Sequence, residues 1–135
     1  MRPQRVLVVD DEPQMRRVLR ASLTVHGYEV IEAASGEEAL TKLDNDRFDW
    51  VLLDLNLPGM DGIETCRAIR ARSAVPIVIV SIRDSEKDQD AAREAGADEY
   101  VTKPFGIQEL LARMMGVGRR RGGFGLEEGD QQAEG

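Results

Sequence analysis

Cysteine, histidine and tryptophan occur once each in this 135-residue chain, beside two tyrosines and three phenylalanines. A single cysteine, Cys66, rules out an internal disulfide and any Cys-rich zinc centre, and it is expected to pack on a helix. The single histidine, His26, sits beside Gly27 at an expected helix end, a setting that suits a solvated imidazole better than a catalytic one. Basic charge is also short: Lys and Arg number 18 against 25 Asp and Glu, for a net charge of −7. That balance argues against a nucleic-acid grip by this surface, because phosphate contacts need a basic stripe. Long apolar runs are missing too. None approaches the ~20 residues a bilayer demands, and the N-terminus has no signal-like apolar region, so the chain reads as cytoplasmic with no membrane contact. Its length fits one domain with a real core.

What is present is alternation. Apolar runs at about 5–10, 48–54 and 75–81, with 28–33 and a short 98–102, read as strands, separated by segments of helical period at about 13–26, 36–46, from Asp61 onward, 84–95 and 106–117. On the first helix Met15, Val18, Leu19, Ser22 and Leu23 share a stripe, with Gly27 as stop signal. Asp61, after the loop Leu57-Pro58-Gly59-Met60, is a natural N-cap for the third helix, which carries Ile63, Cys66 and Ile69 inward. Ile107, Leu110, Leu111 and Met114 form the inward stripe of the fifth. Five βα units predict an α/β fold with a doubly wound, five-stranded parallel sheet, flavodoxin-like, in the order 2-1-3-4-5. The predicted domain spans 1–118. Residues 119–135, with Arg119-Arg120-Arg121-Gly122-Gly123 and a polar, Gly-rich remainder, read as a linker or disordered tail.

Ligands of such sheets bind beyond the carboxyl ends of the strands, where strand order reverses. There this topology places Asp10, Asp11 and Asp54 side by side, with Glu12 nearby. Each pair of like charges at ~4 Å costs about 4 kcal/mol at an effective dielectric near 20. The cluster must therefore protonate or hold a cation. All-oxygen donors without His or Cys favour Mg²⁺, with Mn²⁺ as a substitute, over zinc. A carboxylate beside such an ion can attack phosphorus and become an aspartyl phosphate. Lys103 and Ser81, also at strand ends, could then pair with other phosphoryl oxygens. Glu12 is open between a place in the pocket and a charge at the start of the first helix.

Four segments carry this pattern in one order. They are Val8-Val9-Asp10-Asp11-Glu12, Leu52-Leu53-Asp54-Leu55-Asn56-Leu57-Pro58-Gly59-Met60-Asp61-Gly62, Ile79-Val80-Ser81, and Gly96-Ala97-Asp98-Glu99-Tyr100-Val101-Thr102-Lys103-Pro104-Phe105. Together they closely resemble the receiver domain of two-component response regulators, the CheY-like family, over the chain to about residue 117. The resemblance implies that Asp54 is the phosphoacceptor and that Asp11 binds Mg²⁺ directly. It further implies that Asp10 assists partly through water and that the backbone carbonyl of Asn56 completes the metal site. Ser81 would be the switch hydroxyl, Tyr100 the rotameric aromatic, and the Lys103–Pro104 bond cis. The donor would be a separate sensor histidine kinase, since one histidine makes this chain a poor phosphohistidine carrier. The expected chemistry is self-phosphorylation and slow self-dephosphorylation rather than enzymatic turnover.

In the family reading, Ser81 moves toward the phosphate and Tyr100 fills the space it leaves. A swing from 1:99 to 99:1 takes about 5.5 kcal/mol. Two charge-assisted hydrogen bonds at about 1.5 to 3 kcal/mol each approach that figure. Residues 103–113 resemble the OmpR/PhoB class, and Phe105-Gly106 its KdpE branch. This implies transcription control through a DNA-binding effector domain absent from the chain, and a homodimer through the fourth helix, fifth strand and fifth helix. Glu99, Glu109 and Arg113 match charges the class uses there. Gln89 replaces a usual Lys or Arg, while Arg93 and Glu86 replace Leu and Ile, which weakens that dimer. Ile82 is bulkier than the usual Ala or Gly and narrows access to Asp54. A stand-alone receiver without DNA output is one alternative. Another is a Mg²⁺-dependent aspartyl-phosphate phosphatase of the haloacid dehalogenase type, for which the chain is short of a substrate cap. Trp50, taken to lie near the site, is the expected fluorescent reporter of Mg²⁺.

Overall fold

A computed structural model describes residues 2–121. Its five strands are β1 (Arg5–Val9), β2 (Glu29–Ala33), β3 (Trp50–Leu53), β4 (Ile77–Ser81) and β5 (Glu99–Thr102). Between them run the helices α1 (Pro13–Val25), α2 (Gly36–Asn45), α3 (Gly62–Arg72) and α4 (Glu86–Glu94), and after β5 comes α5 (Ile107–Arg121). All strand pairs are parallel and the order is β2-β1-β3-β4-β5, as the alternation predicts. The sheet and first four helices fall in one unit ending at Pro104; Phe105 begins a second, which contains α5.

β1, β3 and β4 are buried on both faces, which is why they read as unbroken apolar runs. One face carries Leu7, Val9, Val51, Leu53, Ile77 and Ile79, packed with Ala39 of α2, Cys66 and Ile69 of α3 and Ala92 of α4. Alternation turns Val6, Val8, Leu52, Val78 and Val80 to the other face. Helix α1 packs on β1 and β2 outside the first cluster, through Leu19 and Leu23. Val18, expected on that stripe, is 53 % exposed. The buried stripe of α1 is the narrow i, i+4 pair of Leu19 and Leu23, and Val18 stands a 100° step to its side. In α5 the buried stripe is Leu110, Met114 and Val117.

Polar side chains set the helix starts. Asp61 Oδ1 accepts the Glu64 N–H at 2.9 Å while Glu64 Oε1 accepts the Asp61 N–H at 3.2 Å, a reciprocal capping box. Ser35 caps α2 and Ser85 caps α4, so α4 begins two residues later than its charge pattern implies. Arg119, Arg120 and Arg121, assigned to the linker from sequence, continue α5. The rest of that segment lies outside the described residues.

Candidate functional site

Register builds the site. Val9 pairs with Leu53 and Leu53 with Ile79, so Asp10 and Asp54 step off adjacent strands at the same level. The Asp10 N–H donates to Ala33 O at 3.1 Å and the Asp54 N–H to Val9 O at 3.0 Å, extending the ladder one residue past each strand. Ser81 pairs with Thr102, and the Lys103 N–H donates to Ser81 O at 2.8 Å. Four residues distant in sequence thus share one edge, at the β1/β3 reversal point.

Lys103 Nζ lies 3.0 Å from Asp10 Oδ2 and 3.5 Å from Asp54 Oδ2. Asp10 and Asp54 are buried, Ser81 is fully so, and Asp11 is exposed. Asp10, Asp11 and Asp54 can each bring one carboxylate oxygen within 4.8 Å of the others. Asp54 Oδ1 accepts the Asn56 N–H at 3.1 Å, and Asp10 Oδ1 accepts the Glu12 N–H at 2.9 Å. An open cleft of about 290 Å³ is lined by Asp11, Glu12, Asp54, Asn56, Ile82 and Lys103. Glu12 is the N-cap residue of α1, makes no side-chain cap bond and is among the residues that line the cleft.

Burial pushes the Asp54 carboxyl above its ordinary value; the Asn56 N–H and the Lys103 charge pull it back, and Asp10 adds to the rise. For Lys103 burial works downward, but the Asp10 hydrogen bond and the charges of Asp54 and Asp10 outweigh it and the ammonium is favoured. The pocket therefore holds one protein cation between two buried carboxylates. Its donors are all oxygen, which fits a hard dication such as Mg²⁺.

Ser81 and Tyr100 are linked through Arg83, in the loop between β4 and α4. The Arg83 N–H donates to Ser81 Oγ at 3.1 Å, and the Tyr100 hydroxyl donates to Arg83 O at 2.7 Å. The Arg83 guanidinium donates to Asn56 Oδ1 at 2.8 Å, joining the loops after β3 and β4. Its position two residues after Ser81 was the only available signal. Burial, first among the causes, raises the Tyr100 phenol. Ile82 is 66 % exposed and lines the cleft, as its bulk suggested. The Lys103–Pro104 bond is cis. Trp50 corrects an expectation: it opens β3 and donates Nε1–H to Gln4 Oε1 at 3.1 Å. Four residues of strand at ~3.3 Å each put it roughly 13 Å from Asp54 along β3, so it is no near reporter of the site. Glu99 Oε1 accepts the Tyr100 N–H at 2.9 Å, and Arg113 lies 3.9 Å from Glu109 one turn away on α5.

A family model described as the response regulator receiver domain matches residues 6–115. The chain belongs to that family. This receiver domain is 48 % identical over 115 residues to the transcriptional regulatory protein KdpE of Mycobacterium tuberculosis, covering 85 % of this chain and 51 % of KdpE. It is 46 % identical over 119 residues to the response regulator MprA of Mycolicibacterium vanbaalenii, covering 87 % of this chain and 52 % of MprA. The chain thus spans about half the length of the curated relatives it matches. Among solved structures, the response regulator TrrA of Thermotoga maritima, in complex with Mg²⁺-BeF, superposes with a TM-score of 0.77 at 38 % identity, over 84 % of this chain and 98 % of that one. Receiver domains are not classical enzymes. They bind Mg²⁺ at an acidic pocket and are phosphorylated by sensor histidine kinases. No helix among the described residues is long and apolar enough to cross a membrane.

Proposed function

We propose that this receiver domain accepts a phosphoryl group on Asp54 from a sensor histidine kinase, with Mg²⁺, and relays the change through Ser81 and Tyr100. The observation that carries this reading is the buried Asp54 at the end of β3, with Lys103 Nζ 3.5 Å from its Oδ2 and Asp10 and Asp11 within reach. Asp11 and Asp54 would hold the ion, assisted by Asp10 and by the backbone carbonyl of Asn56; Mn²⁺ suits the same donors. When bound, the ion offsets the charge of the incoming phosphoryl oxygens. In the transfer, an Asp54 carboxylate oxygen forms the O–P bond while the donor's N–P bond breaks, and the histidine nitrogen keeps the electron pair. Lys103, already ammonium, neutralises one phosphoryl oxygen, and the Ser81 hydroxyl donates to another. The Arg83 backbone, whose N–H meets Ser81 and whose carbonyl meets Tyr100, then gives Ser81 a route to the Tyr100 hydroxyl. Water attack on phosphorus restores the carboxylate slowly, with Ile82 narrowing the approach.

The output belongs to the same proposal. The chain would act in the cytoplasm as the receiver of a transcription regulator, its residues 119–135 leading toward an effector domain that holds DNA. A homodimer through α4, β5 and α5 would use Glu99, Glu109 and Arg113, weakened by Gln89, Arg93 and Glu86. Acetyl phosphate with Mg²⁺ should add one phosphoryl group to the intact mass. No gain, or an equal gain in Asp54→Ala, would refute the reading.

A further inference from the structure

Asp10 is held at every polar atom it has. Its N–H donates to Ala33 O, its Oδ1 accepts the Glu12 N–H, and its Oδ2 accepts Lys103 Nζ. Its carbonyl accepts from Arg16 Nη1 at 2.7 Å. The Arg16 backbone N–H also donates to Glu12 O at 3.1 Å. One residue of α1 therefore straps the turn carrying Asp10, Asp11 and Glu12 from both ends. The Arg16 side chain is only 16 % exposed, and its Nε donates to Glu32 Oε1 at 2.9 Å. Glu32, near the end of β2, spends Oε2 on Arg20 Nε at 2.6 Å. The Arg20 bond, opposed by partial burial and joined by Arg16, holds the Glu32 carboxyl below its ordinary value, so it stays an anion that fixes the guanidinium plane.

We propose that Arg16, oriented by Glu32, is a positioning residue for the cation site: it fixes the peptide joining Asp10 to Asp11, so that both carboxylates are presented to the pocket of Asp54. The inference rests on the Mg²⁺ reading above. A guanidinium serves here because it forks, one nitrogen on the Glu32 carboxylate and another on the Asp10 carbonyl. An ammonium carries the same charge without that geometry. A purely electrostatic role makes a different prediction, since a nearby cation opposes Mg²⁺ and its removal tightens binding.

The melting temperature of the full chain, followed against Mg²⁺ concentration, separates these roles. Its value without Mg²⁺ reports structure, and its rise with Mg²⁺ reports affinity. Arg16→Lys and Glu32→Gln should each weaken Mg²⁺ binding about tenfold, in the range seen for groups that orient metal ligands. Arg17→Lys, an exposed neighbour, should match wild type. The inference is overturned if Arg16→Lys binds Mg²⁺ within about twofold of wild type, whether or not its melting temperature falls, or if Arg16→Ala binds more tightly. Should Arg16→Ala not fold, Arg16→Lys and Glu32→Gln decide alone. A wild-type chain whose melting temperature ignores Mg²⁺, or an Asp11→Asn variant that responds like wild type, overturns the Mg²⁺ reading itself and this inference with it. A response lost in Asp11→Asn but kept in Arg16→Lys overturns the strap alone.

Discussion

Gly62 shows how tightly single residues define the pocket. A Cβ at Gly62 would collide with the Asp54 carbonyl oxygen and the Leu55 Cα, both backbone atoms at the end of β3. Gly62→Ala should cost about 1–3 kcal/mol in urea denaturation, as overpacking does, and should slow labelling by acetyl phosphate. Charge at Asp54 works in the other direction. Its folded pKa is raised, so the folded protein binds that proton more tightly than the unfolded chain does. The ionised, buried carboxylate therefore carries a stability cost that is absent below the unfolded pKa, grows between the two values and is full above the folded one. Asp54→Asn should raise the melting temperature at neutral pH without Mg²⁺, and the gain should vanish in acid. Lys103 has the opposite window: its raised pKa supplies stability below its unfolded value that is lost as pH rises through the folded one, in the alkaline range. Asp10, Asp54 and Ser81 were legible as polar residues ending apolar runs, and Lys103 from the Thr-Lys-Pro-Phe segment that resembles the family's. Arg16, Glu32 and Arg83, on a helix, a strand and a loop, were not, because nothing in the sequence names the partners a long charged side chain reaches.

Helix starts were legible where one start signal stands alone and vague where several compete. Asp61 was readable as a capping residue just after a Pro-Gly loop, and the structure adds the return bond from its N–H to Glu64. Asp61→Ala should cost about 1 kcal/mol (0.5–2 in comparable caps) by chemical denaturation. Glu64→Ala should cost less, as it gives up only the return bond to the Asp61 N–H. The α4 start was misplaced because Asp84, Ser85 and Glu86 all suit a first turn, and only the structure singles out Ser85, whose Oγ accepts the Asp88 N–H at 3.0 Å. Val18 was misassigned for a related reason. Hydrophobicity marks which residues could be buried, whereas the width of the stripe depends on how the helix docks. β1, β3 and β4 were the most legible elements, since strands buried on both faces read as unbroken apolar runs.

For the whole molecule, fold and site follow from one topology, whereas the proposed dimer would depend on individual side chains of the α4 surface. The α4 surface that would meet a second copy carries Glu86 and Arg93 where apolar residues would drive association. With beryllofluoride and Mg²⁺, sedimentation should find the wild type largely monomeric at micromolar concentration, and Glu86→Ile with Arg93→Leu should increase the dimer fraction. An equal distribution in both proteins would contradict that account. The central claim is an acyl phosphate on Asp54, and chemical trapping addresses it most directly. The chain is treated with acetyl phosphate and Mg²⁺, reduced with borohydride, and mapped by peptide mass spectrometry. The account predicts homoserine at position 54, dependent on Mg²⁺ and lost when acetyl phosphate is omitted; reduction at any other carboxylate, or at none, contradicts it.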